Sequence, residues 1–339
     1  MADAAPKEHI QYIASYKAIS AKLKKRFLRK NTVVDAVDQY QQLAKRLEQD
    51  GVHQYAAFVT LAAARCDEAL NNPTGETEKV VRAAHLFMDS EMEAANLDYA
   101  SFEENLMEAV DCYELAIDIY CKIHRTAFAA TLRSEVANAL VVFGKLEEAA
   151  EQYGAAALLL DGSPLPAIAA TESAEECKIR LLDYAGALDC LGSVLDVVKG
   201  MRAAERGGKP VGADGAAGPA AVGLIEAPRD DFWVLGTALR HSAYGTIICR
   251  CEISAVLLLL QLPRAVRDAH RFAALLERYR HSSQGPPYML ENVHLLIKTV
   301  MQAAEDEDLA ALQSVQSELW FPLSACQNEL LYSLHQLLT

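Results

Sequence analysis

An alanine followed four residues later by a large side chain recurs five times in this chain. The segments are AVDQYQQL (36–43), AAHLFMDS (83–90), AVDCYELA (109–116), AAEQYGAA (149–156) and ALDCLGSV (187–194). The large residues are Tyr40, Phe87, Tyr113, Tyr153 and Leu191, and a small residue often follows three positions on. On a helix, positions i, i+4 and i+7 share one face. The small residue lets a partner helix come close, and the large one fills the gap beside it. A chain that repeats this arrangement is built to stack helices against one another.

The rest of the pattern agrees. Tyr12, Tyr16, Ile19, Leu23 and Phe27 fall at helical steps, which predicts a first helix running through Phe27. Asn31 and Thr32 break it, and Thr32 with Asp35 predicts a capping box for a second helix. That helix carries Val33, Val37, Tyr40, Ala44 and Leu47 and stops at Gly51. A third spans about 52–70, and Ser101 with Glu104 predicts a cap for another reaching about residue 123. Breaks follow at Gly144, Gly162-Ser163-Pro164, Gly200, Pro263, Gly285-Pro286-Pro287 and Pro322. No stretch alternates as a strand does. The spacing predicts an all-α chain of about a dozen helices, an irregular tetratricopeptide-like helical-repeat solenoid. Ala137, Leu140, Gly144 and Leu146 match the small, large, turn and large positions of that repeat, and Tyr184 takes the part of Leu146 one repeat later. Its regular period is about 34 residues. The steps here, from 36 to 83, 109, 149 and 187, are uneven.

Residues 200–230 are rich in Gly, Ala and Pro and lack periodicity. They predict a disordered insertion between an N-terminal array at 8–199 and a C-terminal helical block at 231–338. With 52% hydrophobic residues, a solenoid open to water on both faces has more apolar surface than it can hide. The run ISAVLLLLQL (253–262) is half the length a bilayer span needs. It is expected to be core on all sides or partly covered by a partner, which makes Val256, Leu257, Leu258, Leu259 and Leu260 candidate contact residues.

Nothing in the sequence marks a catalytic centre. There is no phosphate-cradling glycine loop, no HExxH and no nucleophile elbow. The eight cysteines include no CxxC pair, and Cys249 and Cys251 lie about 200° apart on a helix. They are expected to be reduced core thiols, with no metal and no cofactor bound. The first residues, MADAAPKEH, carry no signal-peptide core, so a cytosolic or nuclear location is expected. A net charge of −14 argues against nonspecific nucleic-acid binding. Against that background KLKKRFLRK (22–30) stands out. Leu23 and Phe27 are expected to dock the first helix, while Lys24, Lys25 and Arg29 face outward to acidic surface. The opposite case is Glu305, Asp306, Glu307 and Asp308, expected to begin a helix where its dipole favours acids. Residues 291–320 hold six acids and one lysine, a local field suited to a basic partner.

KLKKRFLRK, YAAF…LAAARCDEAL (55–70), RCEISAVLLLLQ (250–261) and the Trp320…QNELL stretch to Leu331, in that order, resemble the family of 40-kDa huntingtin-associated proteins (factor VIII intron 22 proteins). The likeness is close at 16–70 and 249–335, thinner at 75–200 and absent in the insertion. It implies a non-catalytic α-solenoid clamped in a 1:1 heterodimer by huntingtin, a giant HEAT-repeat protein. It further implies recruitment by an early-endosomal Rab GTPase, a cytoplasmic and early-endosomal location with a nuclear fraction, and no direct membrane insertion. By position, Glu305–Asp308 and Glu318 correspond to a C-terminal acidic region facing a basic bridge in the partner. Two other readings stay open. A general tetratricopeptide peptide adaptor needs repeated Lys and Asn clamps, of which only Lys145 and Lys178 are present. A vesicle-fusion adaptor like the soluble attachment proteins is also an acidic helical solenoid.

Overall fold

A computed structural model describes residues 5–24, 30–99, 101–160, 162–205, 244–282 and 284–339. Among them every regular element is helical. The chain divides into two compact units at Phe143 and Gly144. The first holds α1 (Ala5–Leu23), α2 (Lys30–Gln49), α3 (His53–Ala69), α4 (Pro73–Asn96), α5 (Glu104–Lys122) and α6 (Thr126–Val142), each packed on the next. The second holds α7 (Leu146–Leu159), α8 (Pro164–Arg180) and α9 (Tyr184–Glu205), which continue that pattern. It then adds α10 (Tyr244–Gln261), α11 (Arg264–Ala269), α12 (Ala273–His281), α13 (Glu291–Glu305), α14 (Leu309–Leu319) and α15 (Ala325–Leu337). Here the order changes. α10 packs on α9, α12, α13 and α15, so it is the centre of a bundle rather than one rung of a ladder.

The repeated alanines explain the ladder. Ala36, Ala83, Ala109, Ala149 and Ala187 are all buried, as are Tyr40, Phe87, Tyr113, Tyr153 and Leu191. They sit on α2, α4, α5, α7 and α9. The short step from 83 to 109 thus has a structural cause: α4 and α5 are consecutive helices, and the repeat changes from even to odd helices there. The uneven spacing predicted from sequence is this change of parity.

The turns share one solution. A residue with positive φ follows each of many helices: Gly51 (71°), Asn71 (55°), Asp98 (52°), His124 (57°), Gly144 (74°), Gly162 (84°), Leu182 (61°) and Glu307 (55°). Beside them the chain closes with the long-range bond of a Schellman turn, as in Val52 N to Leu47 O (2.9 Å), Arg125 N to Tyr120 O (2.8 Å) and Asp183 N to Lys178 O (2.9 Å). Glycine fills only three of these eight positions.

Four expectations are corrected. α2 begins at Lys30, so Thr32 lies inside its first turn rather than capping it. Ser101 does not cap α5: its hydroxyl accepts from Glu103 N (2.9 Å), and Glu103 holds the N-cap position with φ 61°. The local hydroxyl-to-backbone turn competes with the box. α9 runs through Gly200 to Glu205 and into the predicted insertion, because Met201–Glu205 are mostly strong helix formers. The remainder of the insertion lies outside the described residues, as do residues 231–243 of the predicted C-terminal block. The acidic run does not start a helix. Glu305 ends α13, Asp306 and Glu307 form the turn, and only Asp308 caps α14, accepting from Ala310 N (3.1 Å) and Ala311 N (3.0 Å).

Two buried polar clusters tie helices together. Lys79 Nζ lies 2.5 Å from Asp67 Oδ2, and Asn72 Nδ2 donates to Asp67 Oδ1 (3.0 Å), which joins α3 to α4. In the second unit Glu252 is fully buried and receives Arg278 (2.5 Å), Tyr279 OH (2.7 Å) and Tyr288 OH. A buried charge survives only with such partners.

Candidate partner-binding surfaces

No group of histidine, cysteine or carboxylate side chains among the described residues is arranged to hold a metal ion. The described cysteines are free thiols, and burial pushes Cys112, Cys249 and Cys326 up to about 12. They are poor nucleophiles. What remains are surfaces and cavities.

The sequence-predicted contact residues fare unequally. Lys24 is an exposed turn residue, while Lys25 and Arg29 lie outside the described residues. Val256, Leu257, Leu258, Leu259 and Leu260 are core, not surface: α13, α12 and α15 already surround α10. α10 has the length and apolar character of a membrane span, yet its side chains are spent on the bundle. The physical reason is that the segments after α10 return to cover it, which no local pattern reveals. Glu305 is exposed but engaged by Arg280, which also meets Glu277. Asp306, Glu307, Asp308 and Glu318 are exposed.

Beside those acids lies a feature that the sequence reading missed. Trp320 and Phe321, between α14 and α15, are 60% and 93% exposed. They line a shallow depression with Gln313, Gln316 and Ser317. In the first unit, Leu97, Tyr99 and Phe102 stand out from the α4–α5 turn, Phe102 at 86% exposure. An apolar cavity of about 250 Å³ opens between Tyr12, Ile13, Tyr16, Leu47, Tyr55 and Phe58. Aromatics placed next to a helix break, without helical spacing to neighbours, were the available signal for the first two. Buried partners for them are absent from the pattern.

Two polar cavities lie among the described residues. One of about 260 Å³ lies among Arg65, Glu68, Glu76, Glu108 and Asp111 in the first unit. Burial, and then Glu68 nearby, holds the Glu76 carboxyl above its ordinary range. The other, of about 240 Å³, lies among Glu172, Glu175, Arg250, Ser254, Cys326 and Gln327 in the second. Arg250 pairs with Glu172 (2.6 Å) at its rim. Inside it, burial and then the neighbouring Glu172 push Glu175 up to about 8. A carboxyl so placed holds its proton at neutral pH.

Comparison with known proteins decides the lineage. Residues 14–189 match the family model described as soluble NSF attachment protein, SNAP. The 40-kDa huntingtin-associated protein of Mus musculus is 32% identical over 354 aligned positions, covering 95% of this chain and 91% of that protein. The chain belongs to the SNAP family and to the group of 40-kDa huntingtin-associated proteins. The Rattus norvegicus member of that group matches with the same identity and coverage. A solved Podosopora anserina kinesin light chain with nearly identical TPR-like repeats aligns with 73% of the chain and 97% of its own, at 15% identity and a TM-score of 0.32. That score is too low to carry an argument. The helix-on-helix ladder itself places this member of the 40-kDa huntingtin-associated protein group among tetratricopeptide-like α-solenoids.

Proposed function

We propose that the chain is a non-catalytic adaptor that binds huntingtin in a 1:1 complex and is stabilised by it. The similarity to 40-kDa huntingtin-associated proteins along 95% of the chain carries this reading. Apolar side chains left in solvent on both units support it. Phe58, Tyr99, Phe102, Trp320 and Phe321 are residues of the kind that anchor protein interfaces. The acids at 306–308 and Glu318 then meet basic surface on the partner. Through a Rab GTPase the complex is drawn to early endosomes from the cytoplasm, with a fraction in the nucleus.

Co-expression with huntingtin tests the central part. Light scattering is expected to give a 1:1 complex, in which the adaptor melts several degrees higher than alone. A lone chain that stays monomeric and melts as high as the complex ends the reading. Adding an early-endosomal Rab in its GTP form to the purified complex tests recruitment. Failure of the loaded Rab to bind removes that clause alone.

The SNAP-family match over residues 14–189 favours a second reading, attachment to NSF in membrane-fusion disassembly. Stimulation of NSF ATPase by the purified chain is the measurement that separates the two.

A further inference from the structure

α11 is a helix with no buried residue. Pro263 starts it and His270, in extended conformation, ends it. It contributes nothing to the core of the bundle it is attached to. The segment around it is also basic, against the acidic balance of the chain. Residues 263–272, PRAVRDAHRF, carry three arginines and one aspartate in a protein of net charge −14. Burial lowers the His270 pKa, so it adds no charge at neutral pH. Arg250, Arg278 and Arg280 of the same unit each meet a glutamate. Arg264 approaches only Asp268, at 4.0 Å and on an exposed surface, where such a pair contributes little. Among the described residues, no carboxylate lies within ion-pair distance of Arg267 or Arg271.

Arg271 is nevertheless held in place. Its guanidinium carbon lies 4.6 Å from the centre of the buried Phe272 ring, within cation–π range. Its Nη2 also occupies the space above Gly192 in α9: a β-carbon added there would fall 1.6 Å from that nitrogen. Glycine inside a helix is destabilising relative to alanine, and here its missing side chain is what seats an exposed guanidinium. Asp189 on α9 acts electrostatically on His270 without pairing with Arg271.

We propose that Arg267 and Arg271 form a docking site for an acidic peptide segment of a partner protein, with the exposed Val266 as its apolar contact. Two observations select the occupant. Guanidinium forks match carboxylates two bonds at a time, and an arginine fixed on a ring loses little freedom on binding. A membrane surface fits poorly, because the patch is two arginines and one valine wide and offers no exposed aromatic to insert.

The test uses the full chain and a fluorescein-labelled deca-glutamate peptide, read by anisotropy. Binding is expected at low salt and is expected to weaken at roughly 0.3 M salt. Arg267→Gln with Arg271→Gln should weaken it about tenfold, the worth of a lost charged hydrogen bond, whereas Lys45→Gln, at an exposed lysine of α2, should leave it unchanged. Gly192→Ala should weaken it as well, by displacing Arg271, while leaving the melting temperature equal or higher. Absence of binding by the wild-type chain overturns the proposal, and so does equal loss in Lys45→Gln. Binding undiminished in both the arginine and glycine variants overturns it too. Preferential binding to phosphatidylserine vesicles, or concentration-dependent self-association abolished by the arginine changes, assigns the patch to a membrane or to a second copy instead.

Discussion

At the scale of single residues, buried charge separates what is essential from what is adjustable. Asp67 is fixed by Lys79 and Asn72 in the interior of the first unit. Asp67→Ala leaves the lysine buried and unpaired, so it should cost about 3–5 kcal/mol, read by urea denaturation. Glu175 behaves differently. Burial pushes its pKa in the folded chain up to about 8, against 4.5 for an ordinary glutamate carboxyl. The native state therefore binds more protons than the unfolded one between those values, and stability falls as pH rises. The contribution is whole below about pH 4.5 and is lost as pH rises through about 8. Glu175→Gln should flatten this part of the stability–pH curve and leave the variant the more stable form at pH 9. An unchanged curve would show that the carboxyl reaches solvent. Neither role is legible in the sequence. The depth of a carboxyl depends on which helices surround it.

At the scale of elements, turns and core make separate demands. Leu182 follows α8 with φ 61°, a conformation that costs a residue with a β-carbon about 1–2 kcal/mol. Its side chain is exposed and offers little in return. Leu182→Gly should thus raise the melting temperature, by an amount set by roughly 1 kcal/mol once glycine's own entropy is counted. Leu257 is the opposite case. It is fully buried at the centre of the second unit, so Leu257→Ala should cost about 2–5 kcal/mol even in the isolated chain. Partner binding should change only through that lost stability. The helices on the alanine repeat were predictable to within a few residues because spacing alone defines an apolar face. The ends were less so. Thr32 and Ser101 have the side chains of caps, but a cap must sit where the chain enters the helix: Thr32 lies inside α2, and Ser101 lies two residues before the N-cap position of α5, held by Glu103.

At the scale of the whole molecule, the apolar surplus is real but differently located than composition suggests. The greasiest segment is interior. Among the described residues, the most exposed aromatics, Tyr99, Phe102, Trp320 and Phe321, lie beside helix ends. Trp320→Ala with Phe321→Ala should therefore weaken the proposed complex with huntingtin by about 2 kcal/mol or more, measured by titration calorimetry, without lowering the melting temperature of the free chain. A fall in that melting temperature equal to the loss in binding would mean that the pair serves the fold instead. Reversing Asp306, Glu307 and Glu318 to lysine should weaken assembly more at low salt than at high salt. Glu305 is left out of that set because Arg280 already engages it.

The all-α class, the stacked ladder, the lack of a catalytic motif and the family likeness follow from the order of residues alone. Each depends on local spacing or on strings of side chains that a helix presents whatever lies around it. Which apolar face is sealed, which acid is paired and which arginine is left bare were decided only by tertiary structure. Burial and ion pairing belong to neighbours brought together from distant positions: α10 is hidden by helices that follow it, and Arg271 is seated by a glycine 79 positions earlier, at 192.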